Sequence, residues 1–336
     1  MAGASSGNTQ FDAVGIGNAI VDVLAHAEEA ALVELGLTKG AMTLIDATEA
    51  ETLYRHMGPG IECSGGSAAN TIAGLASLGA SAAFIGKVKS DQLGQVFRHD
   101  IRSLGVHFAT PPAASGPPTA RCFVFVTPDA QRTLQTYLGA CVELGAEDID
   151  AAVIAASRVT YLEGYLYDPS RAKAAFRKAC DIAHASSREV ALSLSDPFCV
   201  SRHRREFREL VADHVDILFA NEHEITALYE AENFDAALQA VRGHCEIACL
   251  TRSEKGSVVL SKDEVHVIDA APVAKVVDTT GAGDLYAAGF LYGHTRGRGL
   301  AASGRLASLC AAEVIGHIGA RPETALSELA RAAGLI

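Results

Sequence analysis

The sequence has no block of lysines and arginines, no C-x-x-C pair, and no uninterrupted apolar run near the ~20 residues that a membrane-spanning helix needs. Each absence removes a class of function. Nucleic-acid affinity rests on clustered basic residues, so a formal net charge of −12 spread over 336 residues argues against phosphate-backbone binding as the main activity. Neither nucleic acid nor a membrane is an expected partner; small molecules are. The eight cysteines are scattered, the closest pair being Cys245 and Cys249 around a strand-like "EIACL", and they read as reduced thiols rather than disulfides or metal ligands. The histidines form no H-E-x-x-H or comparable cluster. The opening "MAGASSGNTQ" lacks both the basic and the apolar stretch of a secretory leader and reads as a frayed tail on a cytoplasmic protein.

With 49% hydrophobic residues the chain has enough material for a large α/β domain with a smaller appendage, or for two domains. Apolar strand patterns recur at "FDAVGIG", "SAAFIGKV", "RVTYLEGY", "EVALSLS", "VDILFAN" and "EIACLTRS", mostly with amphipathic helical segments between them. Such alternation implies a largely parallel sheet covered by helices on both faces. Two regions break the rhythm. From Asn18 to about Ser64 run "IVDVLAHA", a short helical "EEAALVELGL" and "GAMTLID"; from Gly116 to Gly139, the runs "TARCFVFVT" and "RTLQTYLG" are joined by "PDAQ". Strands without intervening helices predict a small separate sheet. The expected division is therefore an α/β body of residues 1–17, 65–115 and 140–336, and a β lid of residues 18–64 and 116–139.

The stretch "VVDTTGAGDLYAAGFLYG", Val276 to Gly293, places Gly281, Ala282 and Gly283 between two aspartates and an apolar helix. Read with a preceding strand "VAKVV", it predicts a strand-to-helix turn whose free N–H groups, backed by the helix dipole, bind an anion. Small residues leave room for a phosphoryl group, and Asp284 in the first helical turn is placed to accept a proton from an attacking hydroxyl. An ordinary capped turn, with glycines kept for packing, explains a bare G-A-G-D equally well. No G-x-x-x-x-G-K-[ST] loop is present, since "GASAAFIGKV" has the wrong spacing, and "GIGNAI" lacks the third glycine of a dinucleotide fingerprint.

The longer string Asp278-Thr279-Thr280-Gly281-Ala282-Gly283-Asp284 resembles the D-T-x-G-A-G-D signature of the ribokinase-like, or PfkB, carbohydrate and nucleoside kinases. "SGGSAANTIAGLASLG", Ser64 to Gly79, is similar to that family's N-terminal G-G-x-x-x-N motif. The resemblance runs from Phe11 to the C-terminal region. It implies a three-layer α/β sandwich with a mostly parallel central sheet and a small β-sheet lid. It also implies transfer of a phosphoryl group from magnesium ATP to an alcohol, with Asp284 as base and the Gly281, Ala282 and Gly283 amides as anion hole, and it places Asp278 and Thr279 with the nucleotide.

"GNAIVD" resembles the G-N-x-x-x-D of the adenosine kinases, which implies that Asn18 and Asp22 hold ribose hydroxyls. A carboxylate accepts two O–H donors, so vicinal hydroxyls suit it. On its own the string reads more simply as a strand-end turn with solvated polar residues. Gly66 would let the sugar approach the backbone, while Ser67 and Asn70 would add polar contacts. "LSDPF" is similar to the segment whose phenylalanine lies against adenine, which nominates Phe198; Ile20 joins it as a wall. Leu134 and Leu166 or Tyr165 are candidates for the remaining walls, and each serves at least as well as a core or lid-packing residue.

"ANEHE" resembles the family's N-x-x-E motif and implies that Asn221 and Glu224 organise Mg²⁺ and phosphates through water; without the resemblance it is a capped helix with an acidic first turn. "TRSEKG" matches T-x-G-x-x-G at Thr251 and Gly256 but carries Ser253 for the first glycine. "PDAQRT" departs from D-G-E-R at Ala130 and Gln131 and keeps Arg132, which either reaches over the phosphates or is a solvated hairpin charge. The implied reaction is phosphorylation of the 5′-hydroxyl of a nucleoside, adenosine to AMP. A sugar kinase of the same family acting on ribose or fructose is the alternative, and a non-catalytic nucleoside- or nucleotide-binding regulator a more distant one. The motifs leave open a monovalent cation such as K⁺ and the choice between monomer and dimer.

Overall fold

A computed structural model describes residues 9–129 and 131–336. The N-terminal tail through residue 8 and Ala130 of the expected D-G-E-R position lie outside the described residues. The strands are β1 (Phe11–Ile16), β2 (Ile20–His26), β3 (Met42–Leu44), β4 (Ile61–Gly65), β5 (Ala82–Ile85), β6 (Ala120–Val126), β7 (Arg132–Tyr137), β8 (Ser157–Glu163), β9 (Glu189–Ser193), β10 (Ile217–Asn221), β11 (Ile247–Thr251), β12 (Ser257–Ser261) and β13 (Val265–Ile268).

They form an eight-stranded sheet in the order β13-β12-β11-β10-β9-β8-β1-β5. Pairing is parallel from β5 through β11, and β12 and β13 add an antiparallel edge. Strand period two divides the side chains of β1 between the faces: Ala13 enters one core, Val14 and Ile16 the other. The helices Ser67–Ser77, Ala282–Thr295 and Leu300–Val314 cover the first face through Ile72, Leu285 and Leu306. Ser170–Ala185, Pro197–His214 and Glu222–Tyr229 cover the second through Phe176, Phe207 and Ile225. The result is the expected three-layer α/β sandwich.

A second sheet has five strands in the order β3-β7-β6-β2-β4. On β2, Val21 and Val23 point into the first core, while Ile20 and Leu24 pack with Val124, Val126, Leu134 and Ile318 on the opposite face. That second face is apolar but carries Asp22 between Ile20 and Leu24, and Arg132 two residues before Leu134. No helix among the described residues is long and apolar enough to cross a membrane, and the cysteines are all free thiols.

One expected element is absent. "VAKVV" is not a strand: after β13 the chain is irregular up to the helix at Ala282, and Val277 donates its N–H to Ile315 O at 2.8 Å instead of to a neighbouring strand. The sheet edge is taken by the β12–β13 hairpin, which sequence reading did not identify. The helix Ala47–His56 also went unread, although a capping box of Asp46 and Glu49 starts it.

Candidate active site

The carboxyl ends of β1, β8, β10 and β11 lead to or carry Asn18, Glu163, Asn221 and Thr251, at the usual ligand face of a parallel α/β sheet. Asp284 sits there in the first turn of Ala282–Thr295, and two residues of the facing helix hold its carboxylate. Ser67 Oγ donates to Oδ1 at 2.6 Å and Asn70 Nδ2 to Oδ2 at 3.0 Å. The two helices come this close because Gly74 has no side chain: a Cβ there would lie 2.6 Å from Leu285 Cδ1 and 2.8 Å from Ala288 Cβ. Burial raises the Asp284 pKa, while the Ser67 and Asn70 bonds and the charge of Arg321 lower it. Asn70 Oδ1 is buried without a hydrogen-bond partner among the described residues.

The three small residues of the motif are not equivalent. Gly281 adopts φ 78°, a left-handed conformation, and a Cβ on it would meet Ala320 at 2.8 Å, so it makes the turn. A Cβ on Gly283 would meet nothing within 4 Å; the space beside it is open. Ala282 donates weakly to Thr279 O at 3.3 Å, whereas the amides of Gly281, Gly283 and Asp284 find no acceptor among the described residues. The first turn of a helix leaves such donors free. The turn follows an irregular segment rather than the expected strand, but the free amides are there.

Asn18, 3% exposed, does not point freely at the expected ribose position: its Nδ2 donates to Glu163 Oε1 at 2.6 Å. Glu163, the last residue of β8, also accepts from the Ala68 amide at 2.8 Å, and burial pushes its pKa up to about 7. The glycine at position 66 is required by protein rather than by sugar, since a Cβ there would lie 2.2 Å from Asn18 O at φ 98°. Asp22 lies over Gly65, where a Cβ would be 2.3 Å from its Oδ2. Its carboxylate receives no hydrogen bond among the described residues, and burial raises its pKa to about 6 against the opposing charges of Arg321 and Arg132. Ile20 and Leu134 are partly buried on the apolar face of the small sheet. Phe198 stands in the first turn of Pro197–His214 and is 76% exposed. Tyr165 is partly exposed near Asp196, Glu224, Asp284 and Glu163. Leu166, at 1% exposure, belongs to the second core and is not a wall of the site.

Asn221 and Glu224 form a capping box. Asn221 Oδ1 accepts from the His223 and Glu224 amides at 2.9 Å, its Nδ2 donates to Glu224 Oε1 at 2.6 Å, and its own amide donates to Oε2 at 2.9 Å. Burial, with Asp196 and Asp284 nearby, raises Glu224 to about 7. No group of three or more His, Cys, Asp or Glu side chains arranged to hold a metal occurs among the described residues. Thr251 pairs with Asn221 across β10 and β11. Ser253, where the resemblance expects glycine, adopts the left-handed φ of 51° all the same, and Gly256 passes so close to Ile268 O that a Cβ would lie 2.0 Å from it. Arg132 is neither solvated nor free: it is buried in an ion pair with Asp278, whose carboxylate also accepts from the Thr280 and Gly319 amides at 3.0 and 3.1 Å. Arg132 Nε has no hydrogen-bond partner among the described residues. Thr279 is exposed.

Sequence reading missed Glu163 and Arg321. A carboxylate closing the apolar run "RVTYL" was the available signal for Glu163. Arg321, in an irregular segment, offered none.

The model of the pfkB family carbohydrate kinases matches residues 35–325. The adenosine kinase of Sinorhizobium meliloti is 56% identical with a TM-score of 0.89, covering 96% of this chain and 99% of that one. A probable sugar kinase of Rhizobium etli is 52% identical with a TM-score of 0.91, covering 98% and 100%. The ATP-dependent ribose-1-phosphate kinase of Halopiger xanaduensis is 31% identical over 266 residues, 77% of this chain and 83% of that protein. A signature turn with free amides, a carboxylate held in its first helical turn and a family match over most of the length together establish that the chain belongs to the pfkB family carbohydrate kinases and is a phosphotransferase.

Proposed function

We propose that the chain transfers the γ-phosphoryl group of ATP to the 5′-hydroxyl of adenosine, giving AMP and ADP in purine salvage in the cytoplasm. The carrying observation is the Asp284 carboxylate, fixed by Ser67 and Asn70 beside amides that have no acceptor among the described residues. Asp284 accepts the proton of the 5′-hydroxyl as that oxygen attacks in line, and burial makes its carboxylate a stronger base than a solvated one. The Gly281 and Gly283 amides, with the dipole of Ala282–Thr295 behind them, offset the charge that develops on the transferred group. Asp22, whose carboxylate has no donor among the described residues, receives the vicinal ribose hydroxyls, and Asn70 Oδ1, likewise without a partner among them, adds an acceptor. Asn18 acts from the flank, held by Glu163.

On the donor side, the unpaired Arg132 Nε fits a phosphate oxygen. Mg²⁺, when bound, would offset phosphate charge, with Asn221 and Glu224 holding its waters; Glu224 fits that role as a buried carboxylate among other carboxylates. Residues 18–64 and 116–139 form the lid, and the remainder of the chain forms the body.

Adenosine is preferred to a free sugar because the face of the small sheet that carries Asp22 is apolar around it and the Phe198 ring is exposed nearby in sequence to Asp196, a neighbour of the site. A base needs such a surface and a free sugar does not. The sugar-kinase reading draws on the Rhizobium etli structure. ADP release measured across adenosine, other nucleosides, ribose and fructose separates the two: adenosine should have the highest kcat/KM, and a faster free sugar would replace it as the substrate.

A further inference from the structure

The reaction as described gives no task to Arg321, a half-buried cation beside the site. Arg321 follows the helix Leu300–Val314 in the chain and lays its guanidinium against the junction between β4 and the helix Ser67–Ser77. Nε and Nη2 donate to Ser64 O at 3.2 and 2.7 Å, Nη2 also donates to Ser64 Oγ at 3.0 Å, and Nη1 donates to Ala69 O at 3.0 Å. All of these acceptors are neutral. Arg132, by contrast, has its charge matched by contact with Asp278.

Both ends of this grip matter. Ser64 pairs with Val21 across β2 and β4, one residue from Asp22. It is gripped a second time by Asp100 of the helix Gln92–Ser103, whose Oδ2 accepts from the Ser64 amide at 2.8 Å and from Ser64 Oγ at 2.6 Å. Ala69 lies between Ser67 and Asn70, the two donors to Asp284. The titratable groups facing Arg321 are Cys63, Asp100, Asp22 and Asp284. Those facing Asp284 besides Arg321 are Asp22, Glu163 and Glu224, with the phenols of Tyr161 and Tyr165. Around the base, then, the carboxylates outnumber the cations, and like charges in a shared buried site oppose each other's ionisation.

We propose that Arg321 is a positioning residue for phosphoryl transfer: its charge, bonded only to neutral acceptors and faced by Asp100, Asp22 and Asp284, lets Asp22 and Asp284 be ionised together, while its fork ties the β4 end to the helical turn that aims Asp284. The proposal rests on the reading of Asp284 as base. Removing the cation strengthens proton binding by Asp284, so the acid limb of the kcat profile moves to higher pH. A residue that only packed the junction would lower kcat by the same factor at every pH.

The test is kcat against pH, from 5.5 to 9, at saturating ATP and adenosine, for wild type, Arg321→Met, Arg321→Lys and Asp284→Asn, with Tm measured for each. Arg321→Met should shift the acid limb up by about one pH unit, so that its deficit is about tenfold larger at the acid end than at pH 9. Arg321→Lys keeps the charge but not the fork; its acid limb should stay at the wild-type position although its kcat falls at all pH values. A parallel, pH-independent loss in Arg321→Met overturns the proposal, as does an acid limb in Arg321→Lys that moves as far as in Arg321→Met. If Arg321→Met does not fold, Arg321→Gln takes its place: an acid limb shifted upward relative to wild type supports the proposal and a limb at the wild-type position rejects it. A wild-type rate in Asp284→Asn removes the base reading and this proposal with it, whereas an inactive Asp284→Asn beside an unmoved Arg321→Met limb removes this proposal alone.

Discussion

Asn70 Nδ2 lies 3.0 Å from Asp284 Oδ2, a contact between residues 214 positions apart that joins the first turns of two helices. Ser67 makes the companion bond to the other oxygen. The Asp284 carboxylate is therefore held by the same helix that the G-G-x-x-x-N motif opens, and the two family signatures meet in space.

If Asp284 is that base, Asp284→Asn keeps the size of the side chain and can still accept one of its two hydrogen bonds. The fold and ATP binding should persist while kcat drops by about 10² to 10⁴. Steady-state kinetics and nucleotide titration of the variant check this; near wild-type turnover assigns the base elsewhere.

Asp22 tests the acceptor. If Asp22 holds the ribose as proposed, Asp22→Ala removes the acceptor of two O–H donors, at about 1.5 to 3 kcal/mol for each charge-assisted bond, less what water restores. The kcat/KM for adenosine should fall by orders of magnitude, and the wild-type discrimination against 2′-deoxyadenosine should largely vanish. Unchanged adenosine kinetics would show that the sugar is held by other residues.

The buried Glu163 carboxyl should leave a mark on stability. Its folded-state pKa is raised to about 7 by burial, so between the ordinary carboxylate range and pH 7 the folded protein holds a proton that the unfolded chain has released. That contribution is present at lower pH and lost as pH rises through 7, amounting to about 2 kcal/mol between pH 5 and pH 8. Glu163→Gln lacks this dependence. The Tm advantage of wild type over Glu163→Gln should be largest near pH 5 and shrink toward pH 8; a constant difference would mean that Glu163 is ionised in the folded state throughout.

Gly74 governs how closely the two site helices approach. Gly74→Val gains helix propensity but places branched atoms where Leu285 and Ala288 already lie within 2.8 Å of the first added carbon. Overpacking should dominate, lowering stability by about 1 to 3 kcal/mol. Because the strain falls between Asn70 and Asp284, kcat should fall more than KM rises. Thermal melts and kinetics read the two effects separately.

How much of this was legible beforehand differs from residue to residue. Strand and helix alternation needs only local periodicity, so the layered sheet and most of its strands followed from the chain itself. The small residues at 281–283 and the carboxylate after them were equally legible, because a turn that leaves amides free must be built from neighbours in sequence. "VAKVV" failed for the complementary reason: an apolar run becomes a strand only if an edge is open to pair with, and the β12–β13 hairpin holds that edge. Tertiary structure alone decided that Asn18 turns to Glu163, that Arg132 meets Asp278, that Phe198 is exposed while Leu166 is buried, and that Arg321 stands between Ser64 and Ala69. Each of these depends on a partner far along the chain. A side chain's chemistry is a local property, but the charge or hydrogen bond that completes it is supplied by packing, which brings together segments whose separation in sequence carries no record of the meeting.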